Sequence, residues 1–182
     1  TLGDNMAAAM AAQKLYLDGL DPKQISAIEV TLWEPFTNYP GTNYKGPFER
    51  MVQTQASTAF AVSAMLIKGD ITYEMGNTLR DDPLVLDLVS KTTVVPDAVN
   101  GPLDSQVTLT MQDGSKCSAH STQMPRDMLY QTRARTLQVF EGRMSRLGAK
   151  AQSAHKLGAH LFDCLGDKNS PQIGNVLHEI LA

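Results

Sequence analysis

Two cysteines are all that this sequence of 182 residues holds, Cys117 and Cys164, far apart and outside any CxxC spacing. A secreted scaffold stapled by disulfides needs more, so the chain is expected in a reducing compartment, the cytoplasm. Basic excess is also lacking: 16 Lys and Arg stand against 19 Asp and Glu, a formal net charge of −3. Nucleic acid and anionic membranes reward a clear positive balance, so neither is expected as a partner. No apolar run approaches the length that spans a bilayer, and nothing resembles a signal peptide. Neither GxGxxG nor GxxxxGK[ST] occurs, which removes the usual phosphate-cradling loops. HExxH, a Cys-His cluster and GxSxG are missing too, so no metal site or serine nucleophile is marked.

What remains is globular composition, 42% apolar and 19% charged, enough for one substantial domain or a small domain with a helical appendage. Residues 4–20 read as an alanine-rich helix opened by Asp4 and stopped by Gly19, with Met6, Met10 and Leu17 at helical spacing on a buried face. Residues 27–33 alternate, Ile28, Val30 and Leu32 on one face, Glu29, Thr31 and Trp33 on the other, which predicts a strand. Residues 34–48 carry three prolines, two glycines and four aromatics and must be a loop, either a lid or a segment packed on a neighbour. Residues 53–67 form the most apolar helical stretch, expected to be central.

Asp82-Pro83 opens a further helix to about Lys91, and Thr92 to Val95 is a short strand. Val107, Leu109 and Met111 share a face in the next strand, and Asp113-Gly114 turns it into a hairpin. A three-residue loop with a bulge is the expected turn, because it puts Cys117 and Ala119 on the apolar face. A two-residue turn would put Lys116, Ser118 and His120 there. After Pro125 the pattern is helix only: Leu137, Phe140, Met144 and Leu147, then Leu157, Leu161 and Leu165, then Ile173, Val176, Leu177, Ile180 and Leu181.

The expected fold class is therefore α+β: a small antiparallel sheet with packed helices over residues 1–125, then C-terminal helices over residues 126–182. Those helices present apolar stripes that call for self-association or a larger helical body. The four histidines, His120, His155, His160 and His178, read as polar-surface residues. The basic run Arg126, Arg133, Arg135, Arg143, Arg146 and Lys150 reads as a solvated helix face paired with Asp127 and Glu141, with polyanion binding as the other reading.

Residues 52–69, VQTQASTAFAVSAMLIKG, resemble the AQxSxxYAVAxxLLxG helix of the MmgE/PrpD family. Leu20-Asp21-Pro22 through Ile28-Glu29-Val30, Asp82-Pro83 with Lys91 and Val94, and the hairpin of residues 107–114 resemble further family patterns in the same order. The resemblance covers about residues 1–125. It implies a two-part enzyme, a large helical domain from both ends of a chain and a smaller α+β lid between them. This sequence would supply the lid and the returning helices, without the long N-terminal helical part. An opening Thr1 leaves a natural chain and an excised segment both open.

The implied function is part of a lyase or isomerase acting on a small di- or tricarboxylate by side-chain acid/base chemistry, without a cofactor. A 2-methylcitrate dehydratase ranks ahead of iminodisuccinate epimerase and cis-aconitate decarboxylase. The acid/base residues of such an enzyme lie mostly outside this stretch, so this segment alone is expected to be inactive and no catalytic residue is named. Gln55, Ser57 and Phe60 are the candidate substrate-binding residues carried by the resemblance. For Gln55 and Ser57 the competing reading is local hydrogen bonding at a helix start. Phe60 stands where the family usually has tyrosine, and Leu2 where it often has histidine. Both departures weigh against decarboxylase chemistry and a proton-donor role at 60. The expected partner is a second copy in a homodimer. The rival class is a non-catalytic binding or assembly subunit that completes a site with a separate helical partner chain.

Overall fold

The computed structural model describes residues 1–72, 74–122 and 132–164, apart from the side chains of Arg135 and Cys164. The chain divides into two compact units, Thr1–Pro125 and Arg126–Ala182, and the class is α+β.

In the first unit, four strands line up in the order β2-β1-β3-β4. They are β1 (Ile25–Trp33), β2 (Thr92–Asp97), β3 (Asp104–Met111) and β4 (Lys116–Thr122). β1, β3 and β4 are antiparallel, as expected, but β2 lies parallel to β1 and makes the sheet mixed. Its direction follows from its connection. Between β1 and β2 the chain passes through α2 (Glu34–Thr37), α3 (Met51–Ala56), α4 (Thr58–Lys68), α5 (Met75–Thr78) and α6 (Pro83–Lys91), the kind of long helical crossover that parallel neighbours need.

α1 (Met6–Leu17), α4 and α6 cover one face of this sheet. Alternation in β1 and β3 sends Ile28, Val30, Leu32, Val107 and Leu109 into that layer, each at most 1% exposed. α1 meets it through Ala8, Ala11, Ala12 and Leu15. This differs from the expected stripe: Met6 and Met10 are only half-buried and Leu17 is 74% exposed. Small side chains let α1 sit close to α4, so the alanines take the buried face and the longer residues flank it. α4 is buried on every side from Thr58 to Leu66. The hairpin is the bulged one: Met111 N–H donates to Ser115 O (2.8 Å), Gly114 has φ +83°, and Cys117 and Ala119 stand opposite Leu109 and Val107.

The second unit contains α7 (Arg133–Arg146) and α8 (Ala151–Cys164), joined through Gly148 at φ +90°. Arg133 pairs with Asp163 at 2.6 Å and Glu141 with His155 at 2.5 Å, so the helices run antiparallel. Leu165 and the third apolar stretch, residues 173–181, lie outside the described residues.

Candidate functional site

The resemblance-bearing stretch is not one helix. It breaks at Ser57, which has extended dihedrals (φ −74°, ψ 118°) and both ends α3 and begins α4. A break strands backbone groups on both sides, and each must find a partner if buried. Ser57 Oγ accepts from Phe60 N–H (3.1 Å) and donates to Tyr44 O (2.6 Å). Thr58 N–H donates to Thr42 O (3.1 Å). The carbonyls that α3 leaves behind are taken by the segment before α1. Asn5 Nδ2 donates to Ala56 O (2.9 Å), and Leu2 N–H and Thr1 Oγ1 donate to Gln55 O (3.1 and 3.2 Å). Thr58 Oγ1 closes the network on Asn5 Oδ1 (2.5 Å), with both residues fully buried.

Beside this knot is a small cleft whose walls include Thr1, Thr54, Gln55, Phe60, Thr72 and Gly76. Gly76 is required there, because a Cβ would come within 2.8 Å of Thr54 Oγ1 and 2.9 Å of Met51 Cγ. The space a water can enter is about 20 Å³, room for about one molecule and too little for a dicarboxylate.

Of the three candidate residues, the structure brings two to this cleft. Gln55 is half-buried on its wall, and Phe60 lines it while packing edge-on against Phe48 at 5.2 Å. Ser57 is not on it: the residue is fully buried and its hydroxyl is committed to Tyr44 and Phe60. For Ser57 the geometry is that of a helix cap, because a break in a buried helix needs a short hydroxyl side chain to hold the next N–H. Sequence reading missed the partners of the knot, Asn5, Thr42 and Tyr44. The adjacent hydroxyls Ser57-Thr58 in an alanine-rich run were the one available signal.

No titratable side chain is among the described residues lining the cleft. Its hydroxyls and the Gln55 amide can hydrogen-bond a polar group but cannot move a proton at neutral pH. Among the described residues no three His, Cys, Asp or Glu side chains converge as metal ligands. The side chains whose pKa is shifted are elsewhere. Asp97 and Asp113 are held below the usual carboxylate range, Asp97 chiefly by the N–H of Val99 and the Asn100 amide, Asp113 by the hydroxyl and N–H of Ser115. Burial raises the Cys117 thiol, with a smaller push from the negative charge of Asp18.

The long aromatic segment is anchored on its own unit: Tyr44 meets Phe48 at 5.5 Å and Phe48 meets Phe60. Trp33, Phe36 and Tyr39 form a second aromatic contact chain near the surface. In the second unit Arg133 bonds Asp163 and lies 5.7 Å from the Phe162 ring centre, and Glu141 pairs with His155. Arg126, Asp127 and His178 fall outside the described residues.

No helix among the described residues is long and apolar enough to cross a membrane. No protein-family model matches the sequence, and no curated protein does either.

Proposed function

We propose that the chain is the small α+β part, with returning helices, of an MmgE/PrpD-like lyase or isomerase that acts on a small di- or tricarboxylate in the cytoplasm. Dehydration of a 2-methylcitrate-like substrate is the preferred reaction, ahead of epimerisation and decarboxylation. One observation carries this reading. The stretch that resembles the family's helix presents Gln55 and Phe60 on a single cleft, with Thr54 and Thr72 hydroxyl-bearing residues beside them. In such a reaction a base removes a proton from carbon made acidic by neighbouring carboxylates. The cleft is too small to enclose such a substrate, so in this reading it offers hydrogen bonds to one substrate oxygen at its mouth while the rest of the substrate lies against the helical body. The base and the cations that hold the carboxylates come from a helical body contributed by the same protein or by a partner subunit.

A second reading has its own support. The lack of a titratable side chain among the described residues of the cleft, together with exposed Val52 (59%) and Leu2 (43%) on the segments that flank the knot, suits a non-catalytic assembly subunit. Turnover of 2-methylcitrate, cis-aconitate and iminodisuccinate by the protein from its natural source, with its intact mass and solution size, separates the two. Lyase or isomerase turnover that weakens in Gln55→Ala through KM supports the enzyme. A folded protein that turns over none of the three rejects it in favour of the assembly reading.

A further inference from the structure

A second feature lies at the sheet's far side and uses none of the cleft residues. Among the described residues β4 is an edge strand of seven residues, paired with β3 alone. The hairpin register fixes which of its groups are spent. Met111 bonds Ser115, and in an antiparallel ladder every second pair exchanges hydrogen bonds, so Cys117, Ala119 and Ser121 face β3. The N–H and C=O groups of Lys116, Ser118, His120 and Thr122 therefore point away from the sheet, and all four residues are exposed. Among the described residues one interaction reaches this row: Lys14 Nζ, from α1, donates to His120 O at 2.6 Å.

Edges of this kind are usually blunted by proline, a bulge or several charges. β4 has no proline, pairs with β3 in unbroken register, and carries a single lysine at its start. The opposite edge, β2, does carry Pro96.

We propose that the outward edge of β4 docks an extended, acidic segment of a partner protein as a fifth strand. Charge selects the occupant. Lys14 and Lys116 flank the row, and no Asp or Glu occurs between Ser115 and Thr122. Among the described residues the carboxylates around the row are already engaged: Asp113 is held by Ser115, and Asp104, on β3 opposite Thr122, accepts from Gly101 N–H. Asp97 accepts from Val99 and Asn100 and interacts with His120, and Asp18 acts on Cys117, whose side chain is on the helix-covered face. A glutamate on the incoming strand draws Lys14 off His120 O into an ion pair, and that frees the carbonyl to accept the partner's backbone N–H. A neutral strand gains no such exchange. A second copy of β4 would bring two more lysines against the same edge, so self-pairing is disfavoured.

The test uses the full chain and fluorescein-labelled seven-residue peptides of alternating valine with glutamate, glutamine or lysine, read by fluorescence polarisation. The glutamate peptide is expected to bind about tenfold more tightly than the lysine peptide, and to weaken with salt. Ser118→Pro removes one outward N–H at a position where an edge tolerates proline, and should abolish binding while circular dichroism stays unchanged. If that variant fails to fold, the exposed pair Lys14→Glu with Lys116→Glu serves instead and should reverse the peptide preference. Equal binding of the three peptides, or glutamate-peptide binding that survives both changes, overturns the proposal. So does sedimentation showing a dimer that Ser118→Pro dissolves, because the occupant would then be a second copy.

Discussion

Ser57 shows how one hydroxyl can fix a local fold. It caps α4 through Phe60 N–H and ties the loop of Tyr44 down, with no exposure to water. Removing it leaves the buried Phe60 N–H without a partner and frees the half-buried Tyr44 carbonyl. Ser57→Ala is therefore expected to cost about 2 kcal/mol, read from the urea midpoint. A loss within error of zero would mean that water replaces the hydroxyl and that the knot is not a stability element. Cys117 makes a different residue-scale case. Burial raises its thiol pKa and the charge of Asp18 adds to this. Reaction with iodoacetamide proceeds through the thiolate. In a Cys164→Ser background its pH profile should therefore have a midpoint above that of free cysteine in the same buffer, and Asp18→Asn should move it part of the way down. A midpoint equal to free cysteine would sink this assignment.

At the scale of elements, alternation and turn chemistry carried the reading furthest. The faces of β1, the bulged turn at Asp113-Gly114 and the start of α6 at Asp82-Pro83 were legible, because each depends on neighbours in sequence. Three features were not. The parallel placement of β2 depends on a crossover of 58 residues from Glu34 to Lys91, whose path no local pattern states. The break at Ser57 depends on partners about fifty residues away, Asn5 among them. The buried stripe of α1 is made of alanines, which hydropathy ranks below the methionines beside them, and only proximity to α4 explains the choice. The site followed the same division: Gln55 and Phe60 reach the cleft, whereas Ser57 is held by the fold. In the second unit, Gly158 is the contact that decides how α7 and α8 meet. A Cβ there would lie 2.8 Å from Leu137 Cδ2 and 3.0 Å from Phe140 Cδ1. Those are flexible side-chain ends, so Gly158→Ala should be tolerated with a small adjustment. Gly158→Leu should splay the helices and cost about 1–3 kcal/mol, seen as an earlier loss of helical dichroism on heating. An unchanged melt for the leucine variant would show that the two helices do not depend on this contact.

At the scale of the whole molecule the two units differ in whether they enclose a core. Residues 1–122 contain a closed layer: Ile28, Val30, Val107 and Leu109 meet Ala8, Ala12, Leu15, Val62, Leu66 and Leu88, and a second cluster gathers around Phe48, Phe60, Leu79, Val85 and Val89. The helices α7 and α8 bury fully, within the described residues, only Ala154 and Gly158, and Leu147 in the turn between them is 78% exposed. Two amphipathic helices of 14 residues each with so little buried surface are not expected to hold together in water. A fragment of residues 1–122 should therefore unfold in one cooperative urea transition, with protected amides in α4 and β1. A fragment of residues 132–164 should show little helix until a partner or a helix-promoting solvent is added. Were the first fragment to unfold without cooperativity, its core would depend on residues beyond 122. Were the second to fold alone as a stable monomer, its apolar faces would not need the helical body that the lyase reading requires, and that reading would lose its structural basis in this unit.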